Sequence, residues 1–176
     1  MQFCTWLLHV IAAAVWTTVF EIRENRAFAV GAACTVQPTI HHGGSCFGYS
    51  GTTRMTHPNA KEACNATGSR LALLPDQTTL TDLSAWLTNI SAATWVWVAG
   101  ERTATCILCT VSQDRANNWK YFPEFPALGQ PTDEMWRSSV EPASNEWCAD
   151  IRPSVAAFYG TYCNSYLQSY LCEQSE

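Results

Sequence analysis

Cysteine spacing constrains this chain more than any other feature of it. Cys148 closes the run Glu146-Trp147-Cys148, Cys163 follows the aromatic and glycine stretch Phe158-Tyr159-Gly160, and Cys172 lies in the terminal Tyr170-Leu171-Cys172-Glu173. Cys4 sits inside an apolar run, Phe3 to Phe20, that reads as the h-region of a signal peptide although no basic segment precedes it. The leader is placed at residues 1–20, with small-x-small cleavage sites at Ala12-Ala13-Ala14 and Ala27-Phe28-Ala29 bracketing its end. A stretch of about twenty apolar residues can also serve as an uncleaved anchor; once the leader is removed, nothing left in the chain is expected to span a membrane. Cys34, Cys46, Cys64, Cys106, Cys109, Cys148, Cys163 and Cys172 then remain. An even number of cysteines in a secreted chain reads as a disulfide framework, and spacing alone leaves its pairing open among roughly a hundred arrangements.

The remaining length suits one domain, and a 47% hydrophobic content is enough to build a core. The net charge of -5, with no Lys/Arg cluster, argues against a nucleic-acid partner. Two sequons, Asn65-Ala66-Thr67 and Asn89-Ile90-Ser91, fit passage through the secretory pathway as a glycoprotein.

Short β-prone pieces at Cys34-Thr35-Val36 and Cys46 to Ser50, separated by Pro38 and Gly43-Gly44, predict a hairpin. Thr56 and His57-Pro58 signal a first helix, with Ala60, Ala63 and Cys64 on one face and Gly68 as terminator. Leu71 to Leu74 reads as a short buried strand. A second helix is marked by Leu80, Leu83, Trp86, Leu87 and Ile90 at helical spacing, with Thr81, Asp82, Ser84 and Thr88 opposite and Asp76 as cap. Trp95 to Gly100 is too short and β-branched for a helix and predicts a central strand. From Glu101 to Pro142 the periodicity vanishes among Pro123, Pro126, Gly129 and Pro131, so a long irregular excursion is expected. Strands return at 147–151, 156–161 and 169–173.

This order of two helices, aromatic strand, long loop and C-terminal strands, together with Cys64, Cys148, Cys163, Cys172 and Trp97-Val98-Ala99-Gly100, resembles the C-type lectin-like domain. The likeness runs over residues 34–174. It implies an α+β fold, with two helices packed on small antiparallel sheets, a long loop region and stabilising disulfides. It further implies Cys64–Cys172 and Cys148–Cys163 bridges and, for the long form, Cys34–Cys46. Cys106 and Cys109 are left over and most simply bond each other. Redox use of that C-x-x-C lacks a βαβ context, and zinc with His41-His42 fits poorly in an oxidising compartment.

In lectin members of that family a Ca²⁺ ion in the long loop holds the sugar, and such an ion needs six to eight oxygen ligands. Glu141-Pro142 matches the start of the ligand triplet and Glu146 stands two before Cys148. Ala143 replaces the third triplet residue, and Phe158-Tyr159-Gly160 stands where Trp-Asn-Asp is usual. Only Glu141 and Glu146 of the usual side-chain ligands are kept, with Ser144, Asn145 and Asp133-Glu134 as the nearest substitutes, so no cofactor is expected. Pro142 is expected to shape the loop.

Trp119, Tyr121, Phe122, Phe125, Trp136, Tyr159, Tyr162 and Tyr166 crowd the same region. Trp119 and Trp136 match tryptophans that pack the loop onto the domain, whereas Tyr121, Phe122 and Tyr159 join Glu141, Pro142 and Glu146 as candidate ligand-binding residues. His41, His42 and His57 have no nucleophile beside them, so no catalytic residue is assigned. The expectation is a secreted, extracellular lectin-like module that binds a glycan or an extracellular protein through the long loop without the standard calcium site. A calcium-dependent carbohydrate-binding lectin with a rearranged site is the first alternative, and a disulfide-stabilised matrix component is the second. The oligomeric state is not legible.

Overall fold

The computed structural model describes residues 36–105, 108–122, 126–137, 147–164 and 166–175. The leader, Cys34, Cys106, Phe125, Glu141, Pro142, Ser144, Asn145 and Glu146 lie outside those residues, and with them the expected Cys34–Cys46 and Cys106–Cys109 pairings. Cys46 and Cys109 are themselves disulfide-bonded.

The chain runs β1 (Thr39–His42), β2 (Ser45–Tyr49), α1 (His57–Ala66), β3 (Arg70–Leu71), α2 (Gln77–Asn89), β4 (Val96–Arg102), α3 (Val111–Asn118), β5 (Trp119–Lys120), β6 (Cys148–Arg152), β7 (Ala157–Thr161) and β8 (Ser169–Ser175). The strands are ordered β1-β2-β8-β4-β6-β7, with β3 also on β8 and β5 also on β4. All pairs are antiparallel except β4 with β8. The C-terminal strand is therefore inserted between the N-terminal hairpin and the central strand. This is the mixed α+β architecture that the sequence predicts.

The hairpin begins later than expected. Gly43 and Gly44 have φ of 59° and 76°, the pair of positive values that a two-residue primed turn needs, and the strand leading into it is Thr39–His42; of the piece expected at 34–36, Cys34 and Thr35 lie outside the described residues. In α1, Thr56 occupies the N-cap and a proline follows in the first turn, but the Thr56 side chain makes no capping bond. Ala60 and Cys64 point into the core, and Gly68, at φ 72°, donates its N–H to the Asn65 carbonyl to end the helix. Asp76 caps α2 by accepting the Thr79 N–H at 2.8 Å. Leu80, Leu83 and Leu87 are fully buried, and Ser84, expected on the solvent face, is buried beside them.

The long excursion contains a third helix that apolar spacing did not announce. Thr110 and Gln113 form a reciprocal capping box at the start of α3, and the helix is held by ion pairs in place of an apolar face. Asp114 meets Arg102 of β4 at 2.8 Å with both side chains buried, and Arg115 meets Asp133 at 2.5 Å. Trp119 and Trp136, both buried, pack edge to face at 4.8 Å between centroids.

Two disulfides cross-link these layers. Cys64–Cys172, with a sequence separation of 108, fastens α1 to β8, and Cys148–Cys163, with a separation of 15, fastens the start of β6 to the turn after β7. Nearby, the buried Glu173 carboxylate accepts hydrogen bonds from Ser45 Oγ, the Arg70 guanidinium and the Leu73 N–H, joining β8 to its neighbours. Gly100 permits a close strand approach: its φ is 150°, a Cβ there would lie 2.5 Å from the Ala149 Cβ, and the β4–β6 register shifts between Trp97 and Glu101. Among the described residues no helix is long and apolar enough to cross a membrane.

Candidate functional site

The β4–β6–β7 ladder sorts its side chains by the two-residue period of a strand. Ile151 is paired with Phe158, and both are fully buried, with Phe158 against Trp136 at 5.6 Å. The alternate positions, Asp150 paired with Tyr159 and with Trp97, point to the other side. Trp97 is covered there, its indole N–H donating to the Met55 carbonyl at 2.8 Å and its ring meeting His57 edge-on at 5.3 Å. Burial is the main influence lowering the His57 pKa, opposed by the nearby Glu101 carboxylate and by the bond from its ring to the Val98 carbonyl, while Lys61 lowers it further.

Trp95, two residues before Trp97, carries this side beyond the covered region. Its indole and the Tyr159 phenol meet edge to face, with centroids 4.8 Å apart and planes at 88°. Cations lie over both rings. The Arg152 guanidinium is 5.6 Å from the Trp95 centroid and the Arg137 guanidinium is 5.4 Å from that of Tyr159. A cavity of about 350 Å³ opens beside the pair, walled by Trp95, Arg137, Asp150, Tyr159, Tyr166 and Gln168. In its wall the Gln168 amide donates to Asp150 Oδ2 at 2.7 Å. The rim carries exposed aromatic surface, Tyr162 and Tyr166 being tilted against each other at 6.5 Å.

Of the residues singled out from the sequence, Tyr159 belongs to this cavity and Glu141, Pro142 and Glu146 lie outside the described residues. Tyr121 and Phe122 are core rings. Tyr121 is 2% exposed and its hydroxyl donates to the Leu74 carbonyl, and Phe122 is 4% exposed with Lys61 and Arg70 over its ring. Neither ring lines the cavity. Trp95, Arg137, Asp150 and Gln168 carried no functional signal in sequence. Only the same-side spacing of Trp95 and Trp97 hinted at an aromatic surface, and strand pairing was needed to set Tyr159 against it.

No family model and no curated protein sequence matches the chain. Solved structures do. Ovocleidin-17, a major protein of the Gallus gallus eggshell calcified layer, superposes with a TM-score of 0.61 at 18% identity over 82% of this chain and 100% of its own. A calcium-independent type II antifreeze protein gives 0.56 at 19% identity, over 82% and 98%. The carbohydrate-recognition domain of the mouse scavenger receptor C-type lectin gives 0.57 at 14% identity, over 82% and 99%. The chain has the C-type lectin-like fold.

For a lectin-like fold the question of calcium rests on donors. At the two positions where the resemblance puts an asparagine and an aspartate, this chain supplies the Tyr159 phenol, under the Arg137 guanidinium, and Gly160, with no side chain. Asp133, a nearby carboxylate considered as a substitute, is held by Arg115. Among the described residues no cluster of three or more His, Cys, Asp or Glu side chains is arranged to hold a metal ion. The described residues alone do not supply the six to eight oxygens of a Ca²⁺ shell, and Glu141, Ser144, Asn145 and Glu146 lie outside them.

Proposed function

We propose that this chain is a secreted recognition module, binding rather than catalytic, that takes a carbohydrate or protein ligand at the Trp95–Tyr159 cavity without the family's standard calcium site. The observation that carries the reading is the cavity itself: an aromatic pair, flanking guanidiniums and a carboxylate–carboxamide wall, on a rigid sheet, beside the exposed rings of Tyr162 and Tyr166. Aromatic walls with a few placed polar groups are the usual make-up of a small-ligand site. That one structure of this fold is described as calcium-independent and another as a carbohydrate-recognition domain supports both halves of the reading. Disulfides and exposed asparagines at both sequons, Asn65 and Asn89, support an extracellular, glycosylated product.

A glycan array run once with calcium and once with a chelator tests this reading. Hits indifferent to the chelator are expected, and replacing Tyr159 or Trp95 with alanine should remove them. Hits abolished by the chelator would establish a calcium-dependent lectin instead. Empty arrays together with empty pull-downs would leave the matrix role, the kind of setting in which ovocleidin-17 is described.

A further inference from the structure

We propose that the cavity takes an anionic saccharide, a sulfated or uronate-bearing pyranose, with its acid group on Arg137 and its ring against the Trp95–Tyr159 pair. The inference rests on the recognition reading above and names the ligand class for the same cavity.

The arginines sort into two sets. Arg70, Arg102 and Arg115 are paired with Glu173, Asp114 and Asp133, and these pairs hold β8, α3 and the long loop in place. Arg54, Arg137 and Arg152 have no carboxylate partner among the described residues, and all three gather at the same aromatic pair. Arg152 lies over Trp95, Arg137 lies over Tyr159 and lines the cavity, and Arg54 lines a second hollow of about 150 Å³ that shares Trp95 and Gln168 with the first. In a chain of net charge -5, three cations without a carboxylate partner among the described residues, gathered at one point, are a local feature rather than general basicity. Such a cluster raises the local concentration of anions and steers them inward.

The polar atoms in the wall specify the rest of the ligand. The Tyr159 hydroxyl and Gln168 Oε1 are buried without a hydrogen-bond partner, as is Arg152 Nε, whereas buried polar groups are ordinarily paired. Tyr159 is 5% exposed and Gln168 9%. The Gln168 amide nitrogen is committed to Asp150 Oδ2, because a carboxylate can only accept there. Gln168 Oε1 therefore remains as an acceptor, and it calls for a donor such as a ring hydroxyl. The buried Asp150 carboxylate is also a reason for the acid group to sit at the outer, Arg137 side. A cationic ligand fits less well, since Arg54, Arg137 and Arg152 already bring positive charge to the aromatic pair. An apolar ligand would leave the wall acceptor unmade. Sugars bring hydroxyl donors and a flat C–H face together, and the acid group adds a charge-assisted bond to arginine.

Isothermal titration of the secreted full chain, in chelator, would use a sulfated hexuronate-containing tetrasaccharide, its desulfated and carboxyl-reduced counterpart, and inorganic sulfate at matched ionic strength. The acidic tetrasaccharide is expected to bind at least tenfold tighter than the neutral one, more weakly as salt is raised, and inorganic sulfate should bind far more weakly than either. Arg137→Gln, at an exposed position, should erase the preference for the acidic form, and Gln168→Leu should weaken both saccharides, with circular dichroism unchanged in each. Equal binding of the two tetrasaccharides, or Arg137→Gln with its preference intact, sinks the inference and leaves the recognition reading standing. Sulfate binding as tightly as the acidic tetrasaccharide would reduce the site to a simple anion pocket. If no saccharide binds here or on the array, the inference falls; if pull-downs are empty as well, the recognition reading falls with it.

Discussion

Arg102 on the central strand and Asp114 on the helix of the long loop pair at 2.8 Å, with both side chains almost wholly removed from solvent. Asp114 also accepts from Asn118 at 2.7 Å. Removing one partner of a buried pair leaves the other charge uncompensated, at a cost of about 3–5 kcal/mol. Asp114→Ala should therefore lower stability by that order in urea denaturation, and limited proteolysis should then cut first within 103–118. A double change of Arg102 and Asp114 to leucine should recover much of the loss; if it is as unstable as the single variant, the pair is not what fastens the helix.

The two bridges act on the unfolded chain in proportion to the loops that they close. With separations of 108 and 15, the chain-entropy model assigns about 5 kcal/mol to Cys64–Cys172 and about 3 kcal/mol to Cys148–Cys163. Paired Cys→Ser variants compared by thermal melting should rank in that order, and full reduction should unfold the domain outright. A native-like melt in reducing agent would contradict this.

His57 makes stability depend on pH. Its pKa is held below the ordinary 6.5, chiefly by burial, so the unfolded state binds the proton more readily than the folded one. The contribution is complete above about pH 6.5, declines as the pH falls toward the depressed folded-state value, and is gone below it. Stability curves from pH 8 to pH 4 should show this loss in the native chain and less of it in His57→Gln. An identical pH profile in the variant would assign the effect elsewhere.

Tyr121 distinguishes a core ring from a ligand contact. Its hydroxyl donates to the buried Leu74 carbonyl, and burial raises its pKa. Tyr121→Phe leaves that carbonyl unsatisfied and should cost about 1–3 kcal/mol of stability, with glycan affinity per folded molecule unchanged. Tyr159→Phe should show the reverse pattern. A loss of affinity in folded Tyr121→Phe would return this ring to the binding surface.

Most of the scaffold was legible because its signals are local. Leucine spacing marked α2, Asp76 marked its cap, and β-branched residues marked β4. The third helix was missed because Val111–Asn118 is polar nearly throughout and is held by ions that come from elsewhere in the chain. Three of the aromatic residues could not be sorted from sequence for a related reason. Tyr121, Phe122 and Tyr159 look alike in sequence, and only packing places the first two in the core cluster and the third, also buried, in the wall of a cavity.

The sequence by itself determined most of the elements, since periodicity, caps and turn glycines each act within a few residues, and the class of fold followed from the family resemblance that its cysteines and Trp97-Val98-Ala99-Gly100 carry. Tertiary structure alone decided where a ligand could be met. Trp95, Arg137, Asp150, Tyr159 and Gln168 come from separate stretches of chain, and strand register, set by burial on the opposite face of the sheet, is the physical cause that brings them together.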